Sequence, residues 1–221
     1  LLEPIRTGQA DMVVSKFNRH FLEAPISTFT MYPLFTAIYN CPIHRLVGGQ
    51  WGISHHMLRN YLKDARRMWA TDISGYGIDI WIAASAIVSG AKICEANLGI
   101  KIHKPSIAKN ELILRQVASV LFAQIVADKE WWEESHTIRE LPLMQPLATF
   151  GTKKAHIPDE FQISSEKAVT RFKQGFNKFH LLYQKVFPEE IYQQLDKLVT
   201  LKPKSFRFSS ELWAKVIYHL L

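Results

Sequence analysis

The stretch from Leu46 to Pro105 constrains this chain more than any other. Gly48, Gly49, Gly52, Gly75, Gly77, Gly90 and Gly99 punctuate it, and Pro105 closes it. Three glycines within LVGGQWGI disfavour a regular helix there and let the backbone approach a ligand or a neighbouring strand closely. Ser54 then opens a helix with Met57, Leu58, Tyr61, Leu62 and Ala65 on one side. Arg59, Lys63, Arg66 and Arg67 fall largely on the other, the pattern of a half-buried helix with a solvated face. From Ile78 to Ser89, small and apolar residues on nearly every face predict a helix buried against a sheet, with Gly90 as its left-handed closing residue. Lys92 to Leu98 (KICEANL) alternates apolar and polar as a strand does. Strands and helices joined at glycine turns predict an α/β fold.

The flanks extend this reading. Ala10 to Phe17 (ADMVVSKF) is apolar and β-branched, and predicts a buried strand. Asn18, Arg19 and His20 follow its carboxyl end, where open α/β sheets bind ligands. Phe21 to Thr30 predicts a loop leading into a helix over 31–39. Beyond Pro105 the pattern becomes helical. Ile107 to Trp131 predicts one long amphipathic helix, and Leu141 to Pro158, with three prolines and Gly151, predicts a loop. Residues 164–187, 188–198 and 209–221 predict three more helices, with serine caps for the first and last and Pro188 in a first turn. The boundary is placed after residue 105: an α/β part over 1–105 and an all-helical region over 106–221.

Composition excludes several classes. With 48% hydrophobic and 21% charged residues in 221, the chain has the make-up of a folded protein. The longest apolar run, Ile78 to Ser89, carries Asp79 and falls short of the roughly 20 residues of a membrane helix, so no membrane span is expected. Two cysteines, Cys41 and Cys94, make no disulfide framework and have no metal-ligand spacing. With no secretion-signal pattern at the start, the expected compartment is the cytoplasm. The net charge of +7 favours anionic partners.

The chemistry concentrates at two positions. Asp79 sits in the first turn of its helix, where the dipole and unpaired N–H groups favour a carboxylate. Such a group either accepts hydroxyls of a sugar or caps its own helix. His103 follows a strand, between Lys101 and Lys104; it reads locally as a surface histidine, though imidazole there can also bind a metal or a phosphate. His55 and His56 point about 100° apart on a helix and form no chelate. No Walker sequence, CxxC, HExxH or GxSxG motif occurs.

In their order along the chain, these segments resemble the acceptor-side half of a nucleotide-sugar-dependent glycosyltransferase of the GT-A (Rossmann-like) fold. The retaining enzymes that make glucosyl-3-phosphoglycerate and mannosylglycerate are the most similar in pattern. The resemblance rests on VVSKFNRHF, STFTMYPLFTAIYN, VGGQWGIS, the Gly-Tyr-x-x-acid turn from Gly75 to Asp79, and Asn97-Leu98-Gly99 followed by His103. It covers about the first 105 residues. It implies that Asp79, as the catalytic residue, hydrogen-bonds hydroxyls of the sugar or acceptor. Gly48, Gly49 and Gln50 would line the sugar pocket, with Tyr76 beside them, while Thr28 or Thr30 would hold an acidic acceptor. Lys16 and Lys101 would meet phosphate charge. His103 would complete the coordination of Mg²⁺ or Mn²⁺ on the nucleotide diphosphate. Gln50 stands where the phosphoglycerate enzymes commonly have an acid. The family's Asp-x-Asp motif and nucleotide-binding strands are expected ahead of Leu1.

The implied activity is transfer of a hexose from a nucleotide-diphosphate sugar to a small acidic or hydroxylated acceptor, similar to glycerate or phosphoglycerate. The implied partners are those small molecules, with no nucleic acid. The alternative from another class is a non-enzymatic module whose basic helices, with Arg66, Arg67 and the helical tail, bind nucleic acid or a protein. Trp131, Trp132, Phe172, Phe176 and Phe179 are either core residues or the surface of a homo-oligomer.

Overall fold

The computed structural model describes residues 1–18, 24–48, 50–101, 109–134, 143–144 and 164–220. The chain divides into two compact units, Leu1–Ile157 and Pro158–Leu221. The division therefore falls well beyond residue 105. The reason lies in the helix after Pro105, which packs into the first unit as part of its core.

The first unit is a mixed α/β structure. A short helix α1 (Glu3–Arg6) leads to strand β1 (Met12–Asn18). Helix α2 (Tyr32–Tyr39), strand β2 (Trp51–Ile53), α3 (His55–Met68), α4 (Ile78–Val88) and strand β3 (Ile93–Ile100) follow. Helices α5 (Asn110–Ala127) and α6 (Lys129–Glu134) and a two-residue strand β4 (Leu143–Met144) complete it. The sheet order is β2-β1-β3-β4. β1 pairs in parallel with β3, Val13 opposite Cys94 and Val14 opposite Glu95, while β2 runs antiparallel to β1. Met12, Val13, Val14 and Ser15 are all buried, as a central strand covered on both faces requires.

Local signals explain most of these elements. Ser54 caps α3, its Oγ accepting from the Met57 N–H at 3.3 Å. Gly90 takes φ +73° after α4. Neither cysteine is in a disulfide, and both are buried.

Four expectations are corrected. Thr28 and Thr30 lie on a π-helical turn, Ser27–Met31, that runs straight into α2. The wide turn precedes Pro33, whose ring would collide with the carbonyl four residues back in a regular α-helix. The long helix after Pro105 breaks at Asp128 into α5 and α6; Asp128 leaves helical geometry there, and its carboxylate accepts from the Tyr39 hydroxyl at 2.9 Å. Within the stretch expected to be loop, Leu143–Met144 pairs in parallel with Glu95 and Ala96. Leu58 and Leu62, expected on the buried side of α3, are exposed.

By length and composition, α5 alone among the described helices reaches what a bilayer crossing needs. It is a packing element: Val117 and Leu121 are fully buried, and its partners are α4 and the turn at Asp72–Ser74. The described residues hold no clear membrane span. The turn shows how close this packing is. A Cβ on Gly77 would strike the Val120 side chain and lie 2.8 Å from the Asp72 carbonyl oxygen.

In the second unit, helices α7 (Ser165–Val186), α8 (Glu189–Thr200) and α9 (Ser210–Leu220) enclose Phe176, Phe187, Ile191, Leu195, Leu198, Leu212 and Val216. Phe172 packs edge-on against Phe206 and Phe208 at this core. Phe172 and Phe176 are thus core residues, and Phe179 is partly exposed.

Candidate functional site: a loop clamped by two buried carboxylates

The carboxyl end of β1 opens onto a cavity of about 360 Å³ lined by Lys16, Phe17, Asn18, Thr28, Tyr32, His44 and Arg45. Its position beyond the end of a strand in a parallel pair is where α/β sheets place ligands. Three basic side chains line it, two of them in contact with the Glu95 carboxylate, and no carboxylate is among its described lining residues. That composition suits an anionic group, with the aromatic faces of Phe17 and Tyr32 beside it.

The loop between α2 and β2 carries His44 and Arg45 to this cavity. Ile43 and Leu46, both fully buried, anchor it on the hydrophobic side. On the polar side it is held by Asp79 and Glu95, the two buried carboxylates among the described residues. Glu95 on β3 accepts from the His44 backbone N–H at 2.7 Å and lies 2.8 Å from His44 Nδ1. A carboxylate can only accept, so this contact requires a proton on Nδ1. The Lys16 ammonium joins the same carboxylate at 3.3 Å. His44 stacks on Tyr32 with centroids 5.0 Å apart, which fixes the ring from its face. Arg45 Nη1 donates to Thr28 Oγ1 at 3.1 Å, tying the loop to the π-helical turn.

Asp79 holds the other end of the loop. One oxygen accepts from the Gly48 N–H at 2.9 Å and the other from Trp51 Nε1 at 3.0 Å. The carboxylate sits in the first turn of α4, where the helix dipole adds to both bonds. Its principal visible work is to shape the glycine loop rather than to cap its own helix.

The predicted site residues therefore fall in several places. Lys16 and Thr28 line the cavity, and the Lys101 ammonium lies 5.1 Å from the centroid of the Phe17 ring at its side. Gly48 and Asp79 meet through a hydrogen bond. Gln50 presents its carbonyl to the Ser15 N–H at 3.2 Å and is otherwise exposed. Thr30 is buried within the π-helical turn. Tyr76 donates its backbone N–H to Gln116 Oε1 on α5 at 3.1 Å, so its turn serves helix packing. Gly49 and His103 lie outside the described residues, as do Arg19 and His20.

Sequence reasoning missed His44, Arg45, Tyr32 and Glu95. A signal existed for Glu95: it is a lone acid in the middle of a strand between apolar neighbours, a place that demands a partner. Nothing local marks His44, because its partner is 51 residues away.

Other ionisable groups near the core serve structure. Burial and the adjacent Asp128 push the Tyr39 hydroxyl well above its ordinary range, and burial does the same to Tyr61, whose hydroxyl donates to the Ile82 carbonyl. Burial also raises the Cys94 thiol.

The implied Mg²⁺ or Mn²⁺ finds no complete donor set here: among the described residues no group of three histidine, cysteine, aspartate or glutamate side chains could hold a metal ion. The two buried carboxylates are committed to separate ends of the loop. No protein-family model matches this chain, and no curated protein matches it.

Proposed function

We propose that this chain carries the acceptor side of a nucleotide-sugar-dependent glycosyltransferase, moving a hexose to a small acidic or hydroxylated acceptor. The observation that supports this reading is the basic cavity at the end of β1, which has the size and charge for such an acceptor. The ordered resemblance of the first 105 residues to GT-A enzymes supplies the reaction class.

In this reading, Lys16 and Arg45 hold the anionic group of the acceptor, with Thr28 and Asn18 as neutral partners. His44, oriented by Glu95, presents Nε2 to the acceptor hydroxyl. That oxygen bonds to the anomeric carbon as the bond to the diphosphate breaks, the electron pair leaving on the diphosphate and the hydroxyl proton passing to Nε2. Asp79 is a positioning residue: it acts through Gly48 and Trp51 to hold the loop that carries His44 and Arg45.

The test is hexose transfer by the full-length protein from UDP- and GDP-hexoses to glycerate and phosphoglycerate, read by mass spectrometry. Lys16→Ala and Arg45→Ala should each raise the acceptor KM about tenfold with little change in kcat. His44→Ala should lower kcat about a hundredfold. Absence of transfer from every donor, or wild-type kinetics in all three variants, overturns the proposal.

A further inference from the structure

Helix α3 exposes apolar side chains that its sequence pattern assigns to the core. Met57 and Tyr61 are buried, but Leu58 is 46% exposed and Leu62 63%, and Trp69, the residue that closes α3 in helical geometry, is 76% exposed. At 100° per residue, these three fall within roughly 40° of one another around the helix axis. They form one stripe, and a second, cationic stripe of Arg59, Lys63 and Arg66 lies about a quarter-turn away on the same exposed side.

We infer that this face of α3 docks the protein on an anionic lipid surface. The argument is charge complementarity joined to the kind of apolar residues exposed. Lipid phosphates answer Arg59, Lys63 and Arg66, while two leucines and an indole suit the boundary between headgroups and acyl chains. The two stripes lie side by side along one helix, so a flat surface can meet both at once. A polynucleotide would engage the cations and leave Leu58 and Leu62 in water. A protein partner would use the apolar stripe without needing three cations beside it. The chain's net charge of +7 adds a general attraction to the same surface. The contact is peripheral and needs no membrane-spanning helix. It is also independent of the proposed transferase chemistry.

Co-sedimentation of the full chain with phosphatidylcholine vesicles, with and without phosphatidylglycerol, tests the inference. The chain should bind only the anionic vesicles, and added salt should release it. The double variant Arg59→Gln with Lys63→Gln should bind less tightly by about fivefold per charge removed. Leu62→Ser and Trp69→Ser should each weaken binding about tenfold, with an unchanged far-ultraviolet circular dichroism spectrum. Brominated lipid should quench tryptophan emission in the wild type and quench it less in Trp69→Phe, a change that keeps an aromatic ring in place. Equal binding to neutral and anionic vesicles, or no binding to either, overturns the inference. So does tighter binding to a nucleic-acid oligomer than to the anionic vesicles, or wild-type binding by the Leu62→Ser and Trp69→Ser variants.

Discussion

Glu95 grips His44 twice, through the backbone N–H at 2.7 Å and through Nδ1 at 2.8 Å. This one contact joins the buried centre of the sheet to the loop that lines the basic cavity. With the Lys16 ammonium at 3.3 Å, three donors converge on two oxygens.

Glu95→Gln should therefore destabilise the protein although it preserves shape. The amide offers one accepting oxygen to three donors, and its NH₂ turns toward another donor. A loss of about 2 kcal/mol is expected from one unsatisfied buried donor and the lost charge. Urea denaturation of the variant against wild type measures it, and an unchanged midpoint would show that the grip on His44 contributes nothing.

Asp79 should behave as a structural anchor. Asp79→Ala leaves the Gly48 N–H and Trp51 Nε1 without acceptors and should cost about 2–4 kcal/mol. Asp79→Asn keeps one accepting oxygen and should cost about half as much. Tryptophan emission should shift in the alanine variant as the Trp51 indole loses its partner. If Asp79→Ala keeps wild-type stability while abolishing transfer, the residue works on substrate directly and the anchoring role is wrong.

Gly77 is required by the close approach of α5. In Gly77→Ala the new methyl meets Val120 and the Asp72 carbonyl oxygen, a clash expected to cost about 1–3 kcal/mol. Adding Val120→Ala removes the side-chain part of that clash. The double variant should thus lose less than the sum of the two single losses, a coupling that thermal unfolding can read.

Tyr39 and Tyr61 make stability depend on alkaline pH. Both hydroxyls have folded values raised above the ordinary tyrosine value, so the native state retains protons that the unfolded chain releases. Their contribution is fully present below about pH 10 and is lost as pH rises toward the folded values, by up to about 1.4 kcal/mol per pH unit for each phenol. Unfolding midpoints followed upward from pH 9 should fall more steeply in wild type than in Tyr61→Phe. Parallel profiles would count against the raised value.

Local pattern alone determined much of this protein. The β-branched run at Met12–Ser15, the serine caps at Ser54 and Ser164, and Gly90 each act within a few residues, so the sequence already marks β1, β3, α3, α4 and the three helices of the second unit. The glycine-punctuated stretch and its acid at position 79 are also visible there, because helix starts and turns have short-range requirements. Only the tertiary structure decided what those residues touch. The grip of Glu95 on His44 spans 51 positions and that of Asp79 on Gly48 spans 31. The pairing of Leu143–Met144 with β3, the place of α5 in the first unit and the exposure of Leu62 likewise depend on which elements pack together. Hydrophobic periodicity says which face of a helix is apolar; whether a neighbour covers all of that face is settled by packing.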